Sequence, residues 1–246
     1  SWRTAGERLA ILGWTTYAVD LRGHGDSDWA PDGNYGLSGH LDDLMSLTSE
    51  IRRREPGQPL SLVGASLGGI VSLIAAGENR GLAQALVLVD VAAKIEESGS
   101  ARVRDFMRSA PDGFDSLEQA SEAIAAYNPR RRRSGSLEGL KKNVRLRADG
   151  RWYWHWDPSF LRGEDRNEAR IQDKGRLGSA ATHVTVPTLI VRGGKSDVVS
   201  DEGIEKMVQR VPHAEVADVS GAGHMVAGDD NPVFAAAIED FLDRHR

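Results

Sequence analysis

The chain has 246 residues, 40% of them hydrophobic, a formal net charge of −5 and no cysteine. That length suits one domain carrying an insertion, and the mild acidity gives no support for nucleic-acid binding. Without cysteine there are no disulfides, no thiolate metal sites and no cysteine nucleophile, which fits a reducing cytoplasm. No run approaches the ~20 apolar residues of a membrane span.

Residues 1–12 read as a helix, with Trp2, Ala5, Leu9 and Leu12 at helical spacing. Trp14 to Asp20 reads as a strand, and Arg22 to Ser27 as a polar turn in which His24 is a structural loop residue. Ser38 is expected to cap the next helix, with Asp42 and Asp43 near its positive end and Leu41, Leu44, Leu47 and Ile51 as its buried stripe. His40, His183, His213 and His245 look solvated.

Pro59 to Ala65 reads as a short buried strand that runs into Gly64, Ala65, Ser66, Leu67 and Gly68, a G-x-S-x-G turn, and restarts as a helix. A serine on a tight strand-to-helix turn has its hydroxyl exposed above the sheet, with the next helix N-terminus beneath it. Flanking glycines are expected because a Cβ there would strike the neighbouring strand or helix. Ser66 is therefore the candidate nucleophile. A serine hydroxyl needs a base and an acid to attack at neutral pH, and an elbow of this type requires them in the chain order Ser, Asp or Glu, His.

Two later segments meet that order. Val186 to Gly194 reads as a strand that places Asp197 in the loop beyond it. Ala214 to Val219 reads as another strand, followed by small residues that lead to His224. All three groups fall at carboxyl ends of strands, where open α/β sheets place their sites. Asp90, at the end of the strand Ala85 to Asp90, is a second candidate for the acid; Asp197 is preferred because its order and loop fit without adjustment.

Between Asp90 and Val186 the strand–helix rhythm stops for about ninety residues, far longer than ordinary connections. Helical patterns occupy Ala101 to Arg108, Ser116 to Tyr127 and Leu137 to Arg145. Asp149 and Gly150 signal a hairpin turn. Alternation then puts Trp152, Trp154 and Trp156 on one face, Tyr153 and His155 on the other. The tryptophans are candidates for a substrate-pocket wall, or they staple the insertion to the body. Arg130 to Arg133 reads as a solvated run, with a role in holding a substrate carboxylate as the other reading. Asn231 and Pro232 open a last helix that buries Phe234, Ile238, Phe241 and Leu242.

Residues 19–27, the elbow over 64–69, Gly193 to Val199 and Gly221 to His224 together resemble the α/β-hydrolase superfamily, in particular its small bacterial branch with a helical cap. That branch includes esterases, cofactor-free haloperoxidase-like enzymes and C–C bond hydrolases. The resemblance implies an α/β fold: a mostly parallel sheet flanked by helices, with a core over 1–93 and 182–246 and a mainly helical cap over 94–181. A serine nucleophile argues against the epoxide-hydrolase and haloalkane-dehalogenase branches, which attack with a carboxylate.

Members normally begin with two or three further strands, the third ending in a His-Gly loop that supplies half of the oxyanion hole. Residues 1–12 here read as the helix after that loop, so the chain looks like a fragment lacking that strand, which would lie between Trp14–Asp20 and Pro59–Ala65. The expected activity is hydrolysis of a carboxylic ester of a small molecule by Ser66, His224 and Asp197, with the Leu67 backbone N–H in the oxyanion hole. No cofactor, metal, nucleic-acid or membrane partner is expected. C–C bond hydrolysis, haloperoxidase-like chemistry and a receptor that binds without turnover are the alternatives.

Overall fold

Burial along the second strand of the chain sets the layering. In the computed structural model, which describes residues 2–92, 94–127, 137–161, 174–220, 223 and 232–246, β1 (Ser61–Ala65) precedes β2 (Ala85–Val89), whose five residues are all buried. A strand buried on both faces is the mark of a parallel sheet covered by helices on each side. β3 (Val144–Leu146) and β4 (Trp152–Trp154) lie in the insertion, and β5 (Thr188–Gly193) and β6 (Glu215–Val219) complete the body. The four body strands run parallel in the order β1-β2-β5-β6. Ser61 faces Ala85, Leu86 faces Thr188, and Gly193 faces Val219 across the ladders.

The side-chain period of two divides this sheet cleanly. Ala85, Val87 and Val89 join a cluster with Leu9 of α1 (Arg3–Ile11) and with Phe234, Ile238, Phe241 and Leu242 of the C-terminal helix (Pro232–Arg244). Leu86 and Leu88 face the other layer. That layer holds α2 (Leu37–Arg54), α3 (Leu67–Glu78), a helix over Lys174–His183 and another over Asp201–Arg210. Gly77 is needed in α3 because a Cβ there would strike the Ala180 carbonyl, so these two helices touch backbone to backbone. Lys174–His183 thus packs on the body, although it falls within the 94–181 expected for the cap.

The insertion carries α4 (Glu97–Arg108) and α5 (Leu117–Tyr127), with its own small core of Phe114, Ala120, Val144 and Trp154. The helix expected over Leu137 to Arg145 is instead a 3₁₀ turn over Leu137–Lys142 followed by β3. Pairing decides the difference: Val144 lies opposite Trp154 and Leu146 opposite Trp152, which carries the apolar Val144 into the insertion's core. The Asp149–Gly150 turn closes this hairpin, with Gly150 at φ +81°. Backbone bonds from Gly25 to the His155 carbonyl and from Asp157 to the Gly23 carbonyl, 2.9 and 2.7 Å, tie it to the body.

Three other expectations are corrected. The cap residue of α2 is Gly36, not Ser38, and its first turn holds no acidic residue. Fully buried Tyr35, hydrogen bonded through its hydroxyl to Asp157, anchors the chain just ahead of that start. Asp43 instead pairs with Arg22. His40 is buried rather than solvated, at 1% exposure. Burial, then the nearby His24 and Arg22, push its pKa down to about 4.

Finally, Trp14 to Asp20 is not a strand, and most of it is exposed. A strand exists only through a partner, and here the nearest ladder, β1, lies across a cleft of about 610 Å³. Trp14, Tyr17, Val19, His40 and Val63 are among the residues lining it. β1 is consequently an edge strand.

Candidate active site

Ser66 stands between β1 and α3 with φ 49° and ψ −121°, a region that costs an L-residue about 1–3 kcal/mol. Its surroundings hold it there. Its N–H donates to the Val89 carbonyl at 3.0 Å, and its carbonyl accepts from Gly69 and Ile70 at 2.9 and 3.0 Å. The hydroxyl makes no capping bond to the helix it precedes. Leu67 is the first residue of α3, so its N–H is among the amides that a helix leaves without an internal partner.

The flanking glycines divide differently from the expectation. A Cβ at Gly64 would strike the Gly68 carbonyl and come within 2.7 Å of the Gly69 Cα, and one at Gly69 would strike Val91. A Cβ at Gly68 meets nothing within 4 Å. The close approach of strand and helix therefore rests on Gly64 and Gly69. Gly64→Ala is expected to destabilise the protein by about 3 kcal/mol through overpacking. Gly68→Ala should be neutral or stabilising by up to about 1 kcal/mol, since it replaces a helical glycine. Urea unfolding of the two variants checks the contrast, and equal losses would contradict it.

Asp197 lies in the loop after β5, with its side chain one-third exposed. Asp90 is buried at 3% exposure and has φ +52°. The two acids meet through Ser196, whose hydroxyl donates to Asp90 Oδ2 at 2.7 Å and accepts from the N–H groups of Val198 and Val199, each at 3.2 Å. Asp90 also accepts from the Gly193 N–H at 3.3 Å. Asp90 thus braces the loop that presents Asp197. The insertion holds the same loop: Glu96 donates its N–H to the Val198 carbonyl at 2.9 Å, and Gly99 lets α4 rest directly on the Asp197 carbonyl.

Sequence reasoning missed one charged neighbour. Arg102, on α4, places Nε 3.1 Å from Asp197 Oδ2 and lies over the Tyr127 ring, 5.2 Å from its centroid. Burial, then the Asp197 charge, raise the Tyr127 hydroxyl above the ordinary phenol range. No motif marks Arg102; only its place on an arginine-containing helix could have suggested it.

His224 and Arg130 to Arg133 lie outside the described residues. Trp152, Trp154 and Trp156 pack together in the insertion's core, where Trp154 stacks on Trp156 at 4.8 Å and donates its indole N–H to the Ser109 carbonyl at 2.8 Å. All three pack within the insertion's own cluster, and Trp156 also pairs with His24 of the body. His24 is the loop residue expected: Nδ1 sits 3.1 Å from the Arg22 carbonyl, Phe160 meets its ring edge-on, and burial lowers its pKa.

A serine held in strained backbone at the carboxyl end of a parallel sheet, with helices on both faces, places this protein among the α/β hydrolases as a hydrolytic enzyme. Residues 2–231 match the family Hydrolase_4, described as serine aminopeptidase S33, and the chain belongs to that family. Esterase Rv0045c of Mycobacterium tuberculosis is 29% identical, over 99% of this chain and 78% of its own. 2-(Acetamidomethylene)succinate hydrolase of Mesorhizobium japonicum is 31% identical over 94% and 79%. A crystal structure of E-2-(acetamidomethylene)succinate hydrolase superposes with a TM-score of 0.78, 26% identity, and coverage of 97% and 86%. N-formylmaleamate deformylase of Pseudomonas putida is 29% identical over 99% and 84%. Among the described residues, no helix is long and apolar enough to cross a membrane.

Proposed function

We propose that this protein hydrolyses a carboxylic ester of a small molecule through an acyl-enzyme formed on Ser66. His224 takes the Ser66 proton as the oxygen attacks the carbonyl, and Asp197 holds the imidazole's tautomer and stabilises the imidazolium. The Leu67 N–H, at the first position of α3, donates to the oxyanion. The alkoxide leaves with the proton from His224; water, deprotonated by His224, then attacks the acyl group and releases the acid. The observation that carries this reading is the Ser66 backbone, which is held in a costly conformation that serves to expose a hydroxyl above a helix N-terminus. A cytoplasmic location fits a chain without cysteine.

A second reading, cleavage of an acyl–nitrogen bond, has a specific support: two relatives bear the names N-formylmaleamate deformylase and 2-(acetamidomethylene)succinate hydrolase. Both reactions use the same serine and differ in the leaving group. Chain-length-graded aryl esters, matched N-acyl compounds and one C–C hydrolase substrate, offered to the full-length protein, separate the readings. Ester turnover well above the others is expected. Binding without turnover of any of them would point to a receptor.

The acid assignment has its own test. Asp197→Asn is expected to lower kcat by up to about 10⁴-fold with little change in melting temperature, the scale of losing the group that orients a triad histidine. Asp90→Asn should cost far less in rate, because Asp90 acts through the loop. Kinetics and thermal melts of both variants decide. If Asp90→Asn is the more damaging in kcat, Asp90 is the acid.

A further inference from the structure

Resting on the ester-hydrolase reading with Asp197 as its acid, we propose that Arg102 is the specificity-determining residue of the cap and that it selects substrates carrying a free carboxylate. In the unliganded enzyme it pairs with Asp197; on binding it transfers to the substrate's carboxylate and leaves Asp197 to His224.

The geometry carries this in three ways. First, the pair is in the wrong place for a purely structural contact. A fixed cation 3.1 Å from the triad acid opposes the imidazolium that this acid must stabilise, so catalysis improves when the guanidinium moves away. Second, the pair is easily exchanged. The Arg102 side chain is 56% exposed and that of Asp197 33%, and ion pairs at such exposure are weakly held. The backbone beneath need not move, because Gly99 and Glu96 fix α4 to the acid loop.

Third, the guanidinium is presented for capture. The Tyr127 ring supports it, Tyr127 stacks in turn on Phe106 at 4.3 Å, and Phe106 belongs to the cap's apolar cluster. Asp197, at Nε, and the Tyr127 hydroxyl engage part of a guanidinium whose five donors suit a bidentate carboxylate. A neutral substrate offers nothing to draw it off. An anionic one exchanges one carboxylate for another, and in doing so frees the acid.

The test compares the p-nitrophenyl ester of pentanoic acid with the mono-p-nitrophenyl ester of glutaric acid, which has the same acyl length and ends in a carboxylate. Wild-type full-length protein should favour the glutarate ester by tenfold or more in kcat/KM, corrected for spontaneous hydrolysis. Arg102→Gln should cut glutarate kcat/KM about tenfold or more, mostly through KM, the scale of losing a charge-assisted bond. It should also raise pentanoate turnover several-fold by freeing Asp197. Arg102→Lys should recover part of the anionic preference, and Arg104→Gln, two residues on and therefore on the other side of α4, where it pairs with Glu97, should leave it intact.

Equal treatment of the two esters by the wild type overturns the proposal. So does an Arg102→Gln variant that slows both esters alike, or an Arg104→Gln variant with the same effect. Calorimetric titration of glutarate into Ser66→Ala protein reads the site without turnover: binding that Arg102→Gln weakens tenfold supports the proposal, and binding indifferent to Arg102 refutes it. If Ser66→Ala still hydrolyses both esters, the ester-hydrolase reading fails instead, and the titration still judges Arg102.

Discussion

Replacing Ser66 with alanine is expected to abolish labelling by a fluorophosphonate probe and to lower turnover by several orders of magnitude, up to about a millionfold. The substitution removes one oxygen and should leave the fold intact. Ser66 is held by its backbone, through Val89, Gly69 and Ile70, and its hydroxyl makes no capping bond whose loss would unravel α3. Rate and stability should therefore separate completely. Ser66→Gly should go further. It removes the hydroxyl and also the strain at φ 49°, so it should be inactive yet more stable than wild type by about 1 kcal/mol. Labelling, kinetics and urea unfolding of the two variants check this. An active Ser66→Ala protein, or one that loses stability along with activity, would remove Ser66 from its role.

What is legible in the sequence follows how local the physics is. The elbow can be read because strand, turn and helix all lie within about a dozen residues and each has its own signature. The alternation of Trp152, Trp154 and Trp156 can be read for the same reason. The register of their pairing with Val144 cannot, and that pairing turned an expected helix into a hairpin. Ser38 fails as a cap because tertiary anchoring at Tyr35 outweighs the preference of one serine. His40 reads as polar and therefore exposed, yet it is 1% exposed, because α2 turns it toward the body.

The site shows the same division. Asp197 and Asp90 were each visible as strand-end carboxylates, but sequence alone could not say how they divide the work. That depends on Ser196 bonding to Asp90 and on Arg102 arriving from α4, contacts made between residues about a hundred positions apart in the chain. Long-range side-chain contacts of this kind leave no periodic trace.

The edge of β1 leads to the second large effect. Ser66 donates its N–H to Val89, and Leu60 accepts from Gln84 at 2.8 Å, so the even-numbered backbone groups of this strand face β2. Along a strand in a parallel ladder these groups alternate in direction, so the N–H and C=O groups of Ser61, Val63 and Ala65 face the cleft. The Trp14 indole nitrogen lines the same cleft, buried and without a hydrogen-bond partner among the described residues. Each such group costs about 1–3 kcal/mol if it is buried unsatisfied, and a whole domain is stable by only about 5–15 kcal/mol. A parallel strand of about five residues, ~17 Å long, matches the length of β1 and would satisfy its edge. An open edge of this kind is a template for pairing with another chain, so amide exchange at Val63 is expected to be fast and the protein to be prone to association. A strand peptide paired to that edge should slow amide exchange at Val63 and suppress association of the protein. A protein that does not associate, with Val63 already protected, would show that the cleft needs no strand.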